Sequence, residues 1–223
     1  MMRVTRVALI WIAMLMTGVD AAQAQTSFVD ESGRFYAAVD VGATFGNKAS
    51  GSFGGEVGGR VIDPIEVFIE FGRMRNVGTS ALQDRADIIA NFIKGSAETS
   101  QKATFFDIGV KYRGPAFAGI WRPYVGLGIG NAKVETASTF TVNGTDVTSQ
   151  LPALYGVVLG NDLTSSLNKV FLTIPIGVQG TFMRRYFVDG SYRYGHLFAK
   201  PDDIDGDVGI TAQRLQIGFG VRF

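Results

Sequence analysis

Residues 211–223 read TAQRLQIGFGVRF, and their side chains alternate between two kinds. One parity is bulky and apolar, and it consists of Leu215, Ile217, Phe219, Val221 and Phe223. The other parity consists of Arg214, Gln216, Gly218, Gly220 and Arg222. Because successive side chains of a strand point to opposite faces, the pattern predicts a β-strand with one apolar face and one polar or glycine face.

The same period of two recurs along the chain. Residues 34–45 (RFYAAVDVGATF) show it at the other end of the sequence. The segments that carry it are 34–45, 52–61, 65–75, 104–113, 121–131, 170–180, 186–195 and 211–223. Their lengths are near the roughly 9–11 residues that a tilted membrane strand needs. We therefore predict eight strands.

The connections between these strands alternate in length. Residues 62–64, 114–120 and 181–185 are short, and the long connections fall among 46–51, 76–103, 132–169 and 196–210. Short periplasmic turns alternating with longer outer loops are typical of outer-membrane barrels. Strands in hydrocarbon must close on themselves, since an unpaired backbone group there is costly. The fold class predicted is all-β: an eight-stranded antiparallel transmembrane β-barrel over 34–223, with ten strands as the alternative.

A soluble secreted barrel with a small apolar ligand inside is the competing fold. It would place the apolar parity inside and the charged parity in water, whereas a membrane barrel places the apolar parity against lipid. Glycines on the polar parity favour the membrane barrel. The interior of an eight-stranded barrel is only just wide enough for side chains, and glycines on the inward parity make room there.

The N-terminus has the three parts of a secretory signal peptide. Arg3 and Arg6 form a basic region, residues 7–19 are apolar, and residues 22–24 (AQA) offer a cleavage site before Gln25. An uncleaved membrane anchor is the alternative. The domains predicted are a signal peptide at 1–24, a periplasmic segment at 25–33 and the barrel at 34–223.

Composition excludes several functional classes. The chain has no cysteine, so disulfides and thiolate metal sites are excluded. Its formal net charge of +1 gives no sign of a nucleic-acid partner. Hydrophobic residues make up 46%, yet beyond the first twenty residues we find no apolar run of the roughly 20 residues that a spanning helix needs.

A terminal Phe after alternating apolar residues, together with residues 124–130 (YVGLGIG), resembles the small OmpA/OmpX/opacity-type outer-membrane β-barrel family. The resemblance implies a protein of the Gram-negative outer membrane. It also implies insertion by the barrel-assembly machinery through the C-terminal strand ending in Phe223, and contact with outer-membrane lipid and lipopolysaccharide. Members act as structural surface proteins, adhesins, antigens or small pores. We expect such a surface role, with a ligand bound through loops 76–103 and 132–169.

The inward parity carries acids and bases in nearly equal number. The acids are Asp40, Glu56, Glu66, Glu70, Asp107 and Asp189. The bases are Arg60, Lys111, Arg113, Arg122, Arg193, Arg214 and Arg222. Charges held away from water must be paired, so we expect a salt-bridge network that fills the lumen. An ion or proton path is the alternative.

No residue is predicted to be catalytic, cofactor-binding or metal-binding. His196, the only histidine, raises the question of a lipid A-modifying enzyme. The deacylase type of barrel places Ser two residues after its His, where this chain has Phe198. Ser191 and Asp202 are near in sequence, but no pattern arranges them as nucleophile and orienting acid. We expect a histidine at the barrel rim.

The long loops have structure of their own. Residues 80–94 space Leu82, Ile89, Phe92 and Ile93 as in a short amphipathic helix, which we expect to lie on the membrane. Asn143-Gly144 predicts a hairpin within 138–148. That loop either protrudes as a hairpin or adds two strands to the barrel. The apolar residues 153–159 either bind a partner or pack on the rim.

Two features concern the strands themselves. Six aromatic residues lie near the short-turn ends and predict an interfacial girdle: Tyr112, Trp121, Phe182, Tyr186, Phe187 and Phe223. Pro175 lies inside the sixth predicted strand and has no N–H to donate. We expect a bulge or an inserted water there.

Overall fold

The computed structural model describes residues 33–45, 49–78, 80–160, 163–198 and 209–223. The strands are β1 (Phe35–Phe45), β2 (Ala49–Ile62), β3 (Ile65–Arg75), β4 (Ser96–Arg113), β5 (Trp121–Val142), β6 (Thr145–Asp146), β7 (Ser165–Phe182), β8 (Tyr186–Leu197) and β9 (Ile210–Arg222). The helices are α1 (Ser80–Phe92) and α2 (Leu151–Tyr155), with a 3₁₀ turn (Thr148–Gln150) before α2. The predicted signal peptide and nearly all of segment 25–33 lie outside these residues.

Eight of the strands form a closed antiparallel ring. Each pairs with the next along the chain, with β5 pairing to β7, and β1 pairs with β9 to close the barrel. The two-residue β6 pairs with β5 alone. The eight-stranded prediction is confirmed, and the ten-stranded alternative is wrong.

The two faces of the wall have the polarity that the alternation predicts. On β9, Ile217 is 69% exposed on the outside, whereas Arg214 and Arg222 are fully buried inside. The other strands repeat this arrangement. The outside is therefore an apolar belt and the lumen is polar over most of its length, which is the reverse of what a soluble barrel requires.

The barrel has two unlike ends. The turn end carries the connections 63–64, 114–120 and 183–185 together with the C-terminus. The loop end carries α1, the β5–β6 hairpin and α2. None of the helices in the described part of the chain has both the length and the apolar character needed to cross a bilayer.

Three strands continue far beyond the membrane-spanning length at the loop end. β4 and β5 pair without a break from Arg113↔Tyr124 to Ser96↔Thr141, and β7 begins at Ser165. The predicted loops 76–103 and 132–169 are therefore too long, because parts of both belong to strands. The prediction failed there because the outward side chains become polar, so the alternation of apolar and polar faces no longer marks a strand.

Pro175 interrupts pairing without a bulge. Its strand pairs with β5 at Val125↔Ile176 and again at Gly128↔Thr173, in the same register on both sides of the gap. No residue is inserted, so the predicted bulge is wrong. Proline lacks the N–H that a ladder bond would need, which explains the missing pairs.

Candidate functional site

The lumen holds a network of charged side chains from strands on all sides of the barrel. The centre of the network is Arg193 on β8, which donates hydrogen bonds to Glu70 on β3 and, over 3.1 Å, to Glu56 on β2. Lys111 donates to the other oxygen of Glu56. Arg214 donates to the second oxygen of Glu70 over 2.8 Å. Both carboxylates are thus bound by two cations each.

A second group of pairs lies nearer the turn end. Arg113 and Arg222 both donate to Glu66, over 3.0 and 2.9 Å. Arg222 also donates to the side-chain oxygen of Gln179. Arg113, Arg222 and Glu66 are all buried, so the two guanidinium groups share one carboxylate inside the wall.

The other three acids of the lumen have fewer hydrogen-bond and ion-pair partners among the described residues. Asp189 accepts a 2.9 Å hydrogen bond from the hydroxyl of Tyr124, and Asp40 lies 4.0 Å from Arg193. Asp107 is fully buried, and neither of its carboxylate oxygens has a hydrogen-bond partner among the described residues. The predicted network is confirmed for all six acids as buried inward groups, but the pairing is complete for only three of them.

Two inward bases differ from the rest. Arg60 lies at the turn end, 3.9 Å from the exposed Asp63, and therefore belongs to the rim rather than the centre. Lys169 is buried in the lumen, although it falls in the predicted loop 132–169. Lys169 has the same parity on β7 as the inward residues Phe171 and Thr173, and this parity would have identified it as a lumen residue.

An apolar layer closes the lumen towards the loop end. It consists of Met74, Val77, Ala103, Phe105, Ala132, Val134, Phe171, Leu197, Ile210 and Ala212. The rings of Phe105 and Phe171 are 5.3 Å apart, and the Arg214 guanidinium lies 4.4 Å from the Phe105 ring. The layer therefore packs directly on the charged network and separates it from the loops.

A smaller aromatic group packs on the network from the turn end. Tyr36, Phe68 and Phe187 form it, with the rings of Tyr36 and Phe187 5.9 Å apart. The Arg222 guanidinium lies 5.3 Å from each of those two rings. Phe187 is therefore a lumen residue, and its assignment to the interfacial girdle is wrong because it has inward parity.

The other girdle residues do lie on the outside at the turn end. Phe182 and Tyr186 stack 6.1 Å apart, and both pack within 6.2 Å of Phe219. Phe35 and Phe223 are 6.5 Å apart. These rings stand at the edge of the apolar belt, where aromatic side chains of membrane barrels sit at the headgroup level.

His196 does not meet the groups that a hydrolase would need. Its ring lies 4.8 Å from the Phe198 ring, and its Nδ1 is 3.4 Å from the Thr211 hydroxyl. It has outward parity on β8, whereas Ser191 is buried in the lumen. The two side chains are on opposite faces of the wall, and Asp202 lies outside the described residues.

The loop end carries a folded assembly, which we call the cap: residues 80–97, 138–160 and 163. Its core consists of Leu82, Ala86, Ala90, Ile93, Phe140, Val147, Leu151 and Leu163. The predicted helix is confirmed, but its buried face packs on this core rather than on a membrane. The predicted hairpin is also confirmed, since Asn143 and Gly144 adopt positive φ of 50° and 80° between β5 and β6.

Polar contacts fix the cap to the barrel strands. Gln83 on α1 donates to the carbonyl of Ala97 over 2.9 Å and accepts from the backbone and hydroxyl of Thr99. Within the cap, Ser138 at the far end of β5 donates to the carbonyl of Leu163 over 2.9 Å. Among the residues that the structure describes, no group of His, Asp and Glu is arranged to hold a metal ion.

Comparison with known proteins places the chain in a family. A model described as "outer membrane protein beta-barrel domain" matches residues 11–223. No curated protein matches the chain.

Three solved structures illustrate the range of similar folds. Neisserial surface protein A shares 15% identity, covering 85% of this chain and 97% of its own, with a TM-score of 0.49. Ail, the attachment invasion locus protein of Yersinia pestis, shares 17% identity, and the match covers 85% of this chain and 97% of Ail, with a TM-score of 0.43. The outer membrane enzyme PagL shares 11% identity, and the match covers 84% of this chain and 99% of PagL, with a TM-score of 0.39.

The family match and the geometry agree. The barrel is closed, its belt is apolar, and its lumen charges are buried. The chain therefore belongs to the outer membrane protein β-barrel domain family and is an integral protein of the outer membrane.

Proposed function

We propose that this barrel is a non-catalytic, non-conducting surface protein that acts through its cap, as an adhesin-like or antigen-like protein. The observation that carries the proposal is that the cap has a buried core of its own. An irregular loop buries few of its own side chains, whereas the two segments of the cap together bury eight, on strands that extend to support them.

The strand extensions lift the cap away from the bilayer. The outward residues of β5 are apolar up to Ile129 and then change to Asn131, Lys133 and Glu135. From Ile129 to Val142 the strand adds roughly 40 Å of chain at about 3.3 Å per residue. Because longer loops of such barrels face the cell exterior, this length presents the cap to the surroundings of the cell.

The cap exposes large apolar side chains where water is expected. Ile88 and Phe92, four residues apart on α1, are 69% and 68% exposed. Leu154 and Val158 are also exposed. Apolar side chains gathered on one exposed assembly are typical of interaction surfaces.

The closed lumen supports a role outside the barrel. A path for ions would have to pass the paired arginines and then the apolar layer with Phe105 and Phe171. We expect purified protein in planar bilayers to show no steady single-channel conductance. A steady conductance would overturn the non-conducting part of the proposal and favour a small pore.

Exposure of the cap is tested with cysteine labelling. The chain has no cysteine, so a single replacement gives a unique label. We expect Phe92→Cys to react with a membrane-impermeant maleimide on intact Gram-negative cells. Met183→Cys, at an exposed site of the turn end, should react only after the outer membrane is opened. The reverse result would place the cap in the periplasm and overturn the proposal.

The interaction itself is tested with a matched pair of variants. Cells carrying the variant Ile88→Ser/Phe92→Ser/Leu154→Ser/Val158→Ser should lose adhesion to host-cell monolayers and matrix proteins. Cells carrying Asp84→Ser/Asn91→Ser, at exposed polar sites of α1, should adhere as the parent does. If the parent barrel itself confers no adhesion or serum-protein binding, the interacting role is wrong and a structural role remains.

A lipid A-modifying activity is not part of the proposal, because Ser191 and His196 face opposite sides of the wall. Mass spectrometry of lipid A from expressing cells checks this directly. A change in acylation that disappears with His196→Ala would overturn the non-catalytic assignment.

Assembly through the C-terminal strand is part of the proposal. The backbone of Phe223 exchanges two hydrogen bonds with Phe35, while its ring is 64% exposed. The ring is therefore free to contact the barrel-assembly machinery while the backbone closes the barrel. Phe223→Ser should slow the appearance of the heat-modifiable form in cells more than Phe35→Ser does, and equal rates would contradict the assignment.

A further inference from the structure

A cluster of basic side chains lies on the outer face of the barrel at the loop end. We call it the basic rim: Arg73, Arg75, Lys102 and Lys133. All four have outward parity on β3, β4 and β5. Register places them in two rows, one with Arg73, Thr104 and Lys133 and the next with Arg75, Lys102 and Glu135. Arg75 and Lys102 are directly opposed, which places their Cβ atoms about 4.5–5.5 Å apart. Arg73 and Lys133 both approach Glu135, which joins the two rows into one patch.

The patch keeps an excess of positive charge. Its one acid, Glu135, lies 3.0 Å from Lys133 and 3.9 Å from Arg73. Arg75 and Lys102 form no salt bridge with any of the described residues. The hydrogen bond from Lys133, and after it the charges of Lys133, Arg73 and Lys102, hold the pKa of Glu135 below its ordinary value.

The rim lies directly above the apolar belt. The next outward residues towards the turn end are Phe71 and Phe106, about half exposed, with Ile129 one further pair along β5. These side chains face acyl chains, whereas the rim begins where the outward residues turn polar. The rim therefore lies at the level of the lipid headgroups.

Among the described residues, the charge at this level is confined to one side of the barrel. At the same level on β8, β9 and β1, and just after β8, the outward residues are neutral: His196, Phe198, Thr211, Gln213 and Phe45. A ring of scattered cations would indicate general solubility, but a one-sided patch indicates a bound group with a fixed position.

We propose that the basic rim binds the phosphate groups of a phosphorylated outer-leaflet lipid, whose acyl chains lie on Phe71, Phe106 and Ile129. Arginine and lysine are the side chains suited to phosphate, and arginine contacts it with two parallel hydrogen bonds. The site rests on the outer-membrane location of the barrel and not on the proposed function of the cap.

A lipid fits better than a soluble polyanion. A soluble sulfated or phosphorylated saccharide would require cations alone, and the cap would be the place to present them. Here the cations adjoin apolar side chains that stay in hydrocarbon, so one molecule with a phosphate head and acyl tails meets both surfaces. The neighbouring Thr104, Asn131 and Asn168 have outward parity and offer hydrogen bonds to its sugar hydroxyls.

The experiment compares lipids that differ only in phosphate. Refolded barrel in detergent is titrated with bisphosphorylated hexa-acylated lipid A and with its dephosphorylated form, and retention is measured by native mass spectrometry in the presence of EDTA. We expect the bisphosphorylated lipid to bind at least tenfold more tightly. Equal binding of the two would overturn the proposal.

Variants locate the site. Arg75→Gln/Lys102→Gln removes two cations that form no salt bridge among the described residues, and it should weaken binding about 25-fold at roughly fivefold per cation near an anionic surface. Lys94→Gln/Arg185→Gln makes the same charge change at exposed sites away from the rim and should change binding less than twofold. Glu135→Gln should tighten binding. If the control double variant weakens binding equally, attraction is unspecific and the site is wrong.

Two competitors distinguish binding of the lipid from binding of other anions. Inorganic phosphate at millimolar concentration and heparin are added as competitors. We expect neither to displace the lipid at concentrations that match it. Heparin that binds with the same dependence on Arg75 and Lys102, while lipid A does not bind, would make the rim a polysaccharide site and overturn the lipid proposal.

Discussion

Arg193 on β8 and Glu70 on β3 form a hydrogen bond across the full width of the barrel, because their strands occupy opposite positions in the ring of eight. The second oxygen of Glu70 accepts from Arg214 on β9. A single carboxylate thus joins three strands, two of which are far from β3 in sequence, and all three side chains are fully buried.

We expect Glu70→Gln to destabilise the barrel strongly. The substitution leaves Arg193 without one partner and Arg214 without its carboxylate, and breaking a buried ion pair typically costs about 3–5 kcal/mol. Urea unfolding in detergent micelles, followed by the fluorescence of Trp121, measures the change. Trp121 is the one tryptophan that remains once the predicted signal peptide is removed.

Glu98→Gln is the matched control. Glu98 has outward parity in the extension of β4 and is exposed. A surface substitution of this kind changes stability by about 0.5 kcal/mol or less. If the two variants unfold at the same urea concentration, the lumen network contributes little to stability and the structural role assigned to it is wrong.

Glycine on the inward face has a packing role, which a comparison of the inward Gly130 with the outward Gly190 can test. A Cβ at Gly130 would lie 1.9 Å from the carbonyl oxygen of Phe106 and 2.5 Å from Cα of Asp107, whereas a Cβ at Gly190 meets nothing within 4 Å. Gly130→Ala should cost about 1–3 kcal/mol through overpacking. Gly190→Ala should be neutral or slightly stabilising, because it restricts the unfolded chain. Equal unfolding free energies would contradict the close approach at Gly130.

Much of the fold was predictable because one rule governs it. A period of two with apolar residues on one parity identified all eight strands and the inward parity of every charge predicted to face the lumen, from Asp40 to Arg222. The hairpin at Asn143-Gly144 was predictable because positive φ at both central residues suits this pair.

The strand extensions at the loop end could not be predicted, because the alternation changes there. Above Ile129 the outward face becomes polar, while the inward face changes from charged groups to Ala132, Val134 and Phe140, so the contrast between faces reverses. A strand whose outer face is in water therefore lacks the pattern of a membrane strand, and its sequence resembles that of a loop. Phe187 was misassigned for a related reason, since it was placed by its level along the strand and not by its parity.

The partners of the charges were not predictable at all. Register along one pair of strands follows from sequence pattern, but the contact between Glu70 and Arg193 depends on the closure of the whole ring. The same holds for the basic rim, because Arg73 and Lys133 fall in one row, on either side of Thr104, only when β3, β4 and β5 are aligned.

The stability of the turn after β6 should depend on pH. Asp146 accepts hydrogen bonds from the hydroxyl and the backbone N–H of Thr148, over 2.6 and 2.9 Å, and these bonds hold its pKa below the ordinary value of 3.8. A lowered pKa in the folded state means that the stabilisation is complete above 3.8 and is lost as the pH falls through the folded-state pKa. NMR titration of the Asp146 carboxyl measures this midpoint.

Thr148→Ala separates the two hydrogen bonds. It removes the hydroxyl and leaves the backbone N–H, so we expect the Asp146 midpoint to move up towards 3.8. Thr145→Ala, in the same hairpin, should leave it in place. A midpoint in the parent at or above 3.8 would show that the carboxylate is not held by these bonds.

The cap should unfold separately from the barrel when its core is charged. Ala86 is fully buried in the core of the cap, so Ala86→Asp places a carboxylate among Leu82, Phe140 and Leu151 without a partner. The barrel beneath has its own network and apolar layer, and it should keep its heat-modifiable migration. Limited proteolysis should then cleave residues 76–95 at least tenfold faster than in the parent. Ile88→Asp adds the same charge at an exposed site of the same helix, so its cleavage should stay within twofold of the parent. Equal protection of Ala86→Asp and Ile88→Asp would mean that α1 does not pack on the cap core, and the surface assigned to Ile88 and Phe92 would lose its support.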